Sequence, residues 1–201
     1  LKNALLGVDV AKRDILQHIH ADVAAIKKDT KSPEPFVHLI AHICQMYALF
    51  SIRAAVEGGA NEQDDNDCLP DPLIPHNIQI LTIYRLLNLS AGDCCQIPNH
   101  LVQILTGEGK SITLAILAAA LVILGTDVDI VCYSSDLTHR DKAAMEPFFV
   151  EMLNFQPDQV RYLTFSELCE LRAKGAGAVA KSVLAGHPVH PLEQRTGSPR
   201  V

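Results

Sequence analysis

Ile104-Leu105-Thr106-Gly107-Glu108-Gly109-Lys110-Ser111 sits between two apolar runs, and the reading of this octet decides the fold. Before it, Leu101-Val102-Gln103-Ile104-Leu105 reads as a short strand, and after it residues 110–124 read as an apolar helix. Gly-Lys-Ser at a strand-to-helix turn is the pattern of a phosphate-binding loop. Glycines let the backbone curl until its N–H groups converge, and the next helix adds its positive N-terminal end. In such a loop Thr106, Gly107, Glu108 and Gly109 supply backbone. Lys110 reaches the outer phosphates as the catalytic cation, and the Ser111 hydroxyl joins a magnesium shell. The usual pattern, G-x-x-x-x-G-K-[ST], has glycine where Ile104 stands here. An ordinary strand–turn–helix corner is the competing reading.

Downstream, residues 127–133 read as a second strand, and Ser135-Asp136 can cap a helix to about Leu153. Val160-Arg161-Tyr162-Leu163 reads as a third strand, and Thr164 or Ser166 can cap a short helix to about Lys174. Strands alternating with helices imply an α/β fold with a parallel sheet and right-handed crossovers. The ligand of such a sheet lies at the carboxyl ends of its strands, where the octet falls.

Upstream, residues 1–30 and 35–56 read as helices, the second starting at Ser32-Pro33-Glu34-Pro35. His38 and His42 have the i, i+4 spacing of metal ligands but no third partner, so satisfied or exposed histidines are expected. Between Glu57 and Pro72 lie six acidic residues and no Lys or Arg. This stretch lacks the glycine and terminal glutamate of a calcium loop and reads as a solvated loop. Residues 76–89 read as a helix with Gln79 in its first turn, and 90–98 as a loop. The divisions are a helical N-terminal region (1–69, with the acidic loop 57–72), a partial nucleotide-binding domain (70–174) and a weakly structured tail (175–201).

An apolar fraction of 48% over 201 residues supports a real core in one or two domains. The net charge of -6 gives no electrostatic reason to expect nucleic acid. None of the six cysteines forms a C-x-x-C pair, so reduced cytosolic thiols fit better than a zinc site or a disulfide framework. No signal peptide is visible, and the run from Ile112 to Gly125 is shorter than the roughly 20 residues of a membrane span.

Three segments together resemble the motor domain of SecA, the ATPase that drives preproteins through a membrane channel. Pro75-His76-Asn77-Ile78-Gln79-Ile80-Leu81 is similar to the family's R-P-[FY]-D-V-Q-L. Thr106-Gly107-Glu108-Gly109-Lys110-Ser111 is similar to T-G-E-G-K-T. Tyr133 through Asp141 is similar to V-N-D-Y-L-A-x-R-D. The resemblance covers residues 70–153, is fainter over 34–57, and extends loosely to 160–168. That family also lacks the first glycine of the loop. The resemblance implies a helicase-like P-loop fold and ATP with Mg2+ as ligands. It also implies Gln79 as reader of the adenine edge, and Arg140-Asp141 as the family's R-D pair, for which a structural salt bridge or cap is the leading role. Unfolded preprotein and a membrane channel are the implied partners, and the implied place is the cytoplasm, peripheral to a membrane.

There are departures. Ile74 stands where the family has arginine, and His76 where it has an aromatic residue. No D-E-x-D string, which positions magnesium and the attacking water, occurs in the 201 residues. The chain reads as the front half of a motor domain, with the loop as half of an ATPase site. A nucleotide-binding module that never hydrolyses ATP, and part of a helicase-like nucleic-acid motor, are the alternatives. No basic stripe with interleaved aromatic residues supports the latter.

Overall fold

The structure, a computed structural model, describes residues 2–58, 70–89 and 99–184. Most of the acidic loop, the 90–98 loop and residues 185–201 lie outside the described residues.

Helices α1 (Lys2–Lys28) and α2 (Glu34–Glu57) run as a packed pair. On α1 the buried residues Val8, Ile19 and Ile26 fall on one helical stripe. Facing them, α2 buries Phe36, Leu39, Ile40, Ile43, Met46 and Tyr47. Between the helices the buried carboxylate of Asp22 meets the His42 ring nitrogen Nδ1 at 2.6 Å, and His18 stacks on His42. His38 is exposed. By length and composition α2 could cross a membrane, but it packs on α1, on α4 (Lys110–Ile123) and on the turn at Phe148–Met152.

Helix α4 is apolar all round and buried accordingly: Thr113, Ala115, Ile116 and Ala118 through Val122 are all out of solvent. It ends in a Schellman motif. Gly125 has φ +97, its N–H donates to Val122 O, and the Thr126 N–H donates to Leu121 O. A residue with a side chain is strained at that φ, which is why the turn into the sheet is made at glycine.

Strands β1 (Val128–Cys132) and β2 (Val160–Thr164) pair in parallel, with Val128 opposite Val160 and Cys132 opposite Thr164. A parallel pair needs a crossover, which α5 (Ser135–Pro147) supplies. Asp129 and Arg161 are register partners and form a two-pronged ion pair at 2.8 and 2.9 Å. Helix α5 has Ser134 at its N-cap, one residue earlier than the sequence suggests, and no side-chain cap hydrogen bond forms there. Pro147 cannot donate to the helix ladder, and the chain widens beyond it into a π-helical turn, Phe148–Met152, closed by Leu153 N–H to Phe148 O. That turn drives Phe148, Phe149 and Met152 into the core. Phe148 meets Tyr47 edge-on at 5.3 Å and Phe50 at 5.6 Å, locking the α/β half to α2.

The expected strand at 101–105 is a correction. This segment is irregular, Leu101 is wholly exposed, and among the described residues the sheet has two strands. A strand needs its carbonyls for a ladder, whereas those of Ile104 and Leu105 accept hydrogen bonds from Lys110 Nζ, each at 2.8 Å. Helix α6 runs Phe165–Leu184 without a break, joining the short helix expected to about Lys174 to the small apolar stretch Ala173 to Leu184, which also reads as a candidate helix. Its start is a capping box: Glu167 accepts from the Thr164 N–H and hydroxyl, and the Glu167 N–H donates to Thr164 Oγ1.

Truncating Phe148 to alanine would empty the centre of the aromatic cluster, and the expected loss is about 3–5 kcal/mol in denaturant unfolding. A loss under about 1 kcal/mol would show that the π-helical turn is not wedged into the core. The capping box sets a pH dependence. Hydrogen bonds from Thr164 hold the Glu167 carboxyl below its ordinary pKa. A group lowered on folding contributes stability above its unfolded pKa and loses it as pH falls through its folded one. The melting difference between the wild type and Glu167→Gln should therefore be present at neutral pH and close in acid below the ordinary carboxylate range.

Candidate nucleotide-binding site

The loop's shape follows from its two glycines. Gly107 has φ +89 and Gly109 φ +71, and Gly109 is the N-cap of α4. A Cβ added at Gly109 would lie on the Gln79 amide nitrogen, so both the backbone angle and the close approach require glycine there. The Gly109 carbonyl accepts from the Thr113 N–H at 3.1 Å and from its hydroxyl at 3.2 Å, fastening the loop to the buried helix. Thr106 and Glu108 are exposed, and the Glu108 N–H turns inward to Leu105 O at 3.3 Å. Lys110 is exposed and bends back onto its own loop, donating to the Ile104 and Leu105 carbonyls.

Gln79 reaches the loop from helix α3 (Asn77–Leu86) and is 4% exposed. Its Oε1 accepts from the His76 N–H at 2.8 Å, and its Nε2 donates to Glu108 O at 2.9 Å. An amide donates and accepts at once. Here both ends are used inside the protein, joining the start of α3 to the phosphate-type loop. Beside this clamp lies a cavity of about 330 Å³, lined by Ile78, Gln79, Thr82, Gln103, Ile104 and Leu105 among others. That volume falls in the range of small-ligand sites. Ile78, Ile104 and Leu105 give it an apolar side, and Gln79, Thr82, Gln103, Glu108 and Thr113 line the rest. Ile74, standing where the resemblance expects arginine, is exposed.

Ser111 points the other way. Its hydroxyl donates to Asp141 Oδ2 at 3.0 Å, across 30 residues of sequence. Asp141 Oδ1 accepts from Arg140 Nε at 3.1 Å and Nη2 at 2.8 Å. On β2, Tyr162 is held in its protonated form, first by burial and then by the charge of Asp141. A serine hydroxyl beside a carboxylate is a set of hard oxygen donors, the type magnesium takes together with water and phosphate oxygens. The donor chemistry therefore fits Mg2+, with Ser111 as the residue that would hold it.

The structure thus brings Gln79, Gly107, Glu108, Gly109, Lys110 and Ser111 to one corner, the junction of α3, the loop and α4. The contact between Ser111 and Asp141 escaped the sequence reading, although its signal was present. The Arg-Asp pair lies on the helix that follows β1, and its Asp141 is within hydrogen-bond reach of Ser111.

Comparison with known families adds one finding. The model of the SecA DEAD-like domain matches residues 73–161, which span α3, the loop, α4, β1, α5 and the start of β2. No curated protein and no solved structure matches the chain. The matched family is one of nucleotide-binding motors, and the match contains every loop residue described above. Residues 73–161 match the SecA DEAD-like domain, so the SecA family is what this segment of the chain is similar to.

Proposed function

We propose that the chain is an ATP-binding part of a SecA-type protein translocase motor. It would hold ATP with Mg2+ at the loop 106–111. The observation that carries this reading is the corner itself: a glycine loop on the N-terminus of a buried helix, with Lys110 and Ser111 leading that helix, beside a 330 Å³ cavity within the matched segment. The base would lie against Ile78 and Ile104, and the phosphates over the loop. Lys110 would leave the Ile104 and Leu105 carbonyls for the phosphate oxygens, a stronger partner for an ammonium. When bound, magnesium would neutralise charge on the phosphates. Gln79, by holding Glu108 O, keeps the loop in register with α3.

Unfolded preprotein as cargo, a membrane channel as partner and a site of action at the cytoplasmic face of a membrane follow from the family. In the intact motor, nucleotide binding and hydrolysis would close and reopen two domains. The 201 residues contain no D-E-x-D string, so we expect binding with little or no turnover from them.

Calorimetry with ATP and ADP tests the reading. The expected result is a dissociation constant between about 1 μM and 1 mM. In Lys110→Ala binding should weaken by roughly 10-fold or more, as expected for losing a charged hydrogen bond to phosphate. A folded wild-type protein that takes up no nucleotide would overturn the assignment. Steady turnover abolished by Lys110→Ala would overturn the expectation of binding alone.

A further inference from the structure

Asp141 is the group at this corner that the loop pattern does not account for. It lies in the second turn of α5, and its side chain is 17% exposed. Both of its oxygens are engaged, Oδ2 by the Ser111 hydroxyl and Oδ1 by the Arg140 guanidinium. Neighbouring residues of a helix point to different faces. Arg140 therefore bends back to reach Asp141, and its own side chain is mostly exposed. Such a contact fastens no second element to α5. It fixes where the carboxylate points, which is at the hydroxyl leading α4. On the sheet side, burial first and then the charge of Asp141 hold Tyr162 in its protonated form.

We propose that Asp141 is the positioning carboxylate of the loop: it orients the Ser111 hydroxyl and completes, with it, the oxygen donor set for the magnesium of a bound nucleotide. The inference rests on the ATP-site reading above and deepens it. In phosphate-loop proteins generally a second carboxylate serves the metal alongside the loop hydroxyl. In this chain a helix-borne aspartate, 30 residues after Ser111, stands at that hydroxyl. The assignment gives the R-D pair divided duties. Asp141 faces the site, and Arg140 holds it there.

The test is the magnesium dependence of nucleotide binding by the full 201-residue chain, read by calorimetry with ADP in Mg2+ and in EDTA. Wild-type protein should bind more tightly in Mg2+. In Asp141→Asn that gain should shrink by roughly 10-fold or more, the scale of a charge-assisted hydrogen bond, while affinity in EDTA does not fall. Ser111→Ala should lose the same gain, and adding Asp141→Asn to it should cost nothing further. A purely structural Asp141 would instead lower both affinities together with the melting temperature, and that pattern overturns the proposal. So does an intact magnesium gain in Asp141→Asn. If circular dichroism shows that Asp141→Asn does not fold, Arg140→Ala replaces it. Releasing Oδ1 should then reduce the magnesium gain, and an unchanged gain overturns the proposal. Wild-type protein that binds no ADP in either condition overturns the ATP-site reading, and this inference with it. Binding that Lys110→Ala abolishes but magnesium leaves unaffected overturns the inference alone.

Discussion

A helix buried on nearly every side cannot shift without opening the core around it, and α4 is such a helix. Its small residues, Ala115 and Ala118 to Ala120, let neighbouring backbones come close, and Ile116 and Leu121 fill what remains. The loop is the N-terminal lead-in to this helix, tied to it through Gly109 O. Position is thereby transmitted from the core to the site. On one side α2 packs against α4, and on the other α3 holds the loop through the Gln79 amide. The aromatic wedge at Phe148 joins α2 to the crossover helix that carries Asp141. A rigid platform of this kind keeps the loop's donors arranged without a ligand to order them.

Charge at the corner is divided between two partners of opposite sign. Lys110 is exposed on the loop, and Asp141 is shielded behind Ser111. An anion approaching the loop would meet the cation and the helix N-terminus first. The carboxylate lies behind the hydroxyl, where it repels the anion least and can still influence a cation carried with it. Tyr162, kept protonated by burial, adds no competing charge beneath.

Much of this was legible in the chain because the local signals agree with one another. The helix at residues 2–28 follows apolar periodicity, and those at 34–57 and 110–123 start at proline and glycine. The strands at 128–132 and 160–164 fall where short β-branched runs lie between turns. The loop was readable because glycine, lysine and serine each have a distinct duty at fixed spacing. What was not legible depended on competition. Leu101 to Leu105 has strand composition, but pairing is decided by neighbours, and here Lys110 takes two of the carbonyls a ladder would need. Gln79 was readable as an important amide, but not which groups would satisfy it. Its partners are carbonyl and N–H groups, and backbone groups leave no mark in a sequence. The π-helical turn after Pro147 escaped for the same reason, since its trace is one missing donor.

The folded-back Lys110 has a consequence for how tightly anything binds. An ammonium resting on two carbonyl dipoles is a ligand that the loop supplies to itself, tethered and so present at a constant effective concentration. An incoming phosphate would compete with those carbonyls for the ammonium, and its apparent affinity would scale with the fraction of molecules in which the lysine is free. Whatever lengthens the reach from Lys110 to those carbonyls, without touching the loop's own N–H groups, would free the ammonium for an anion.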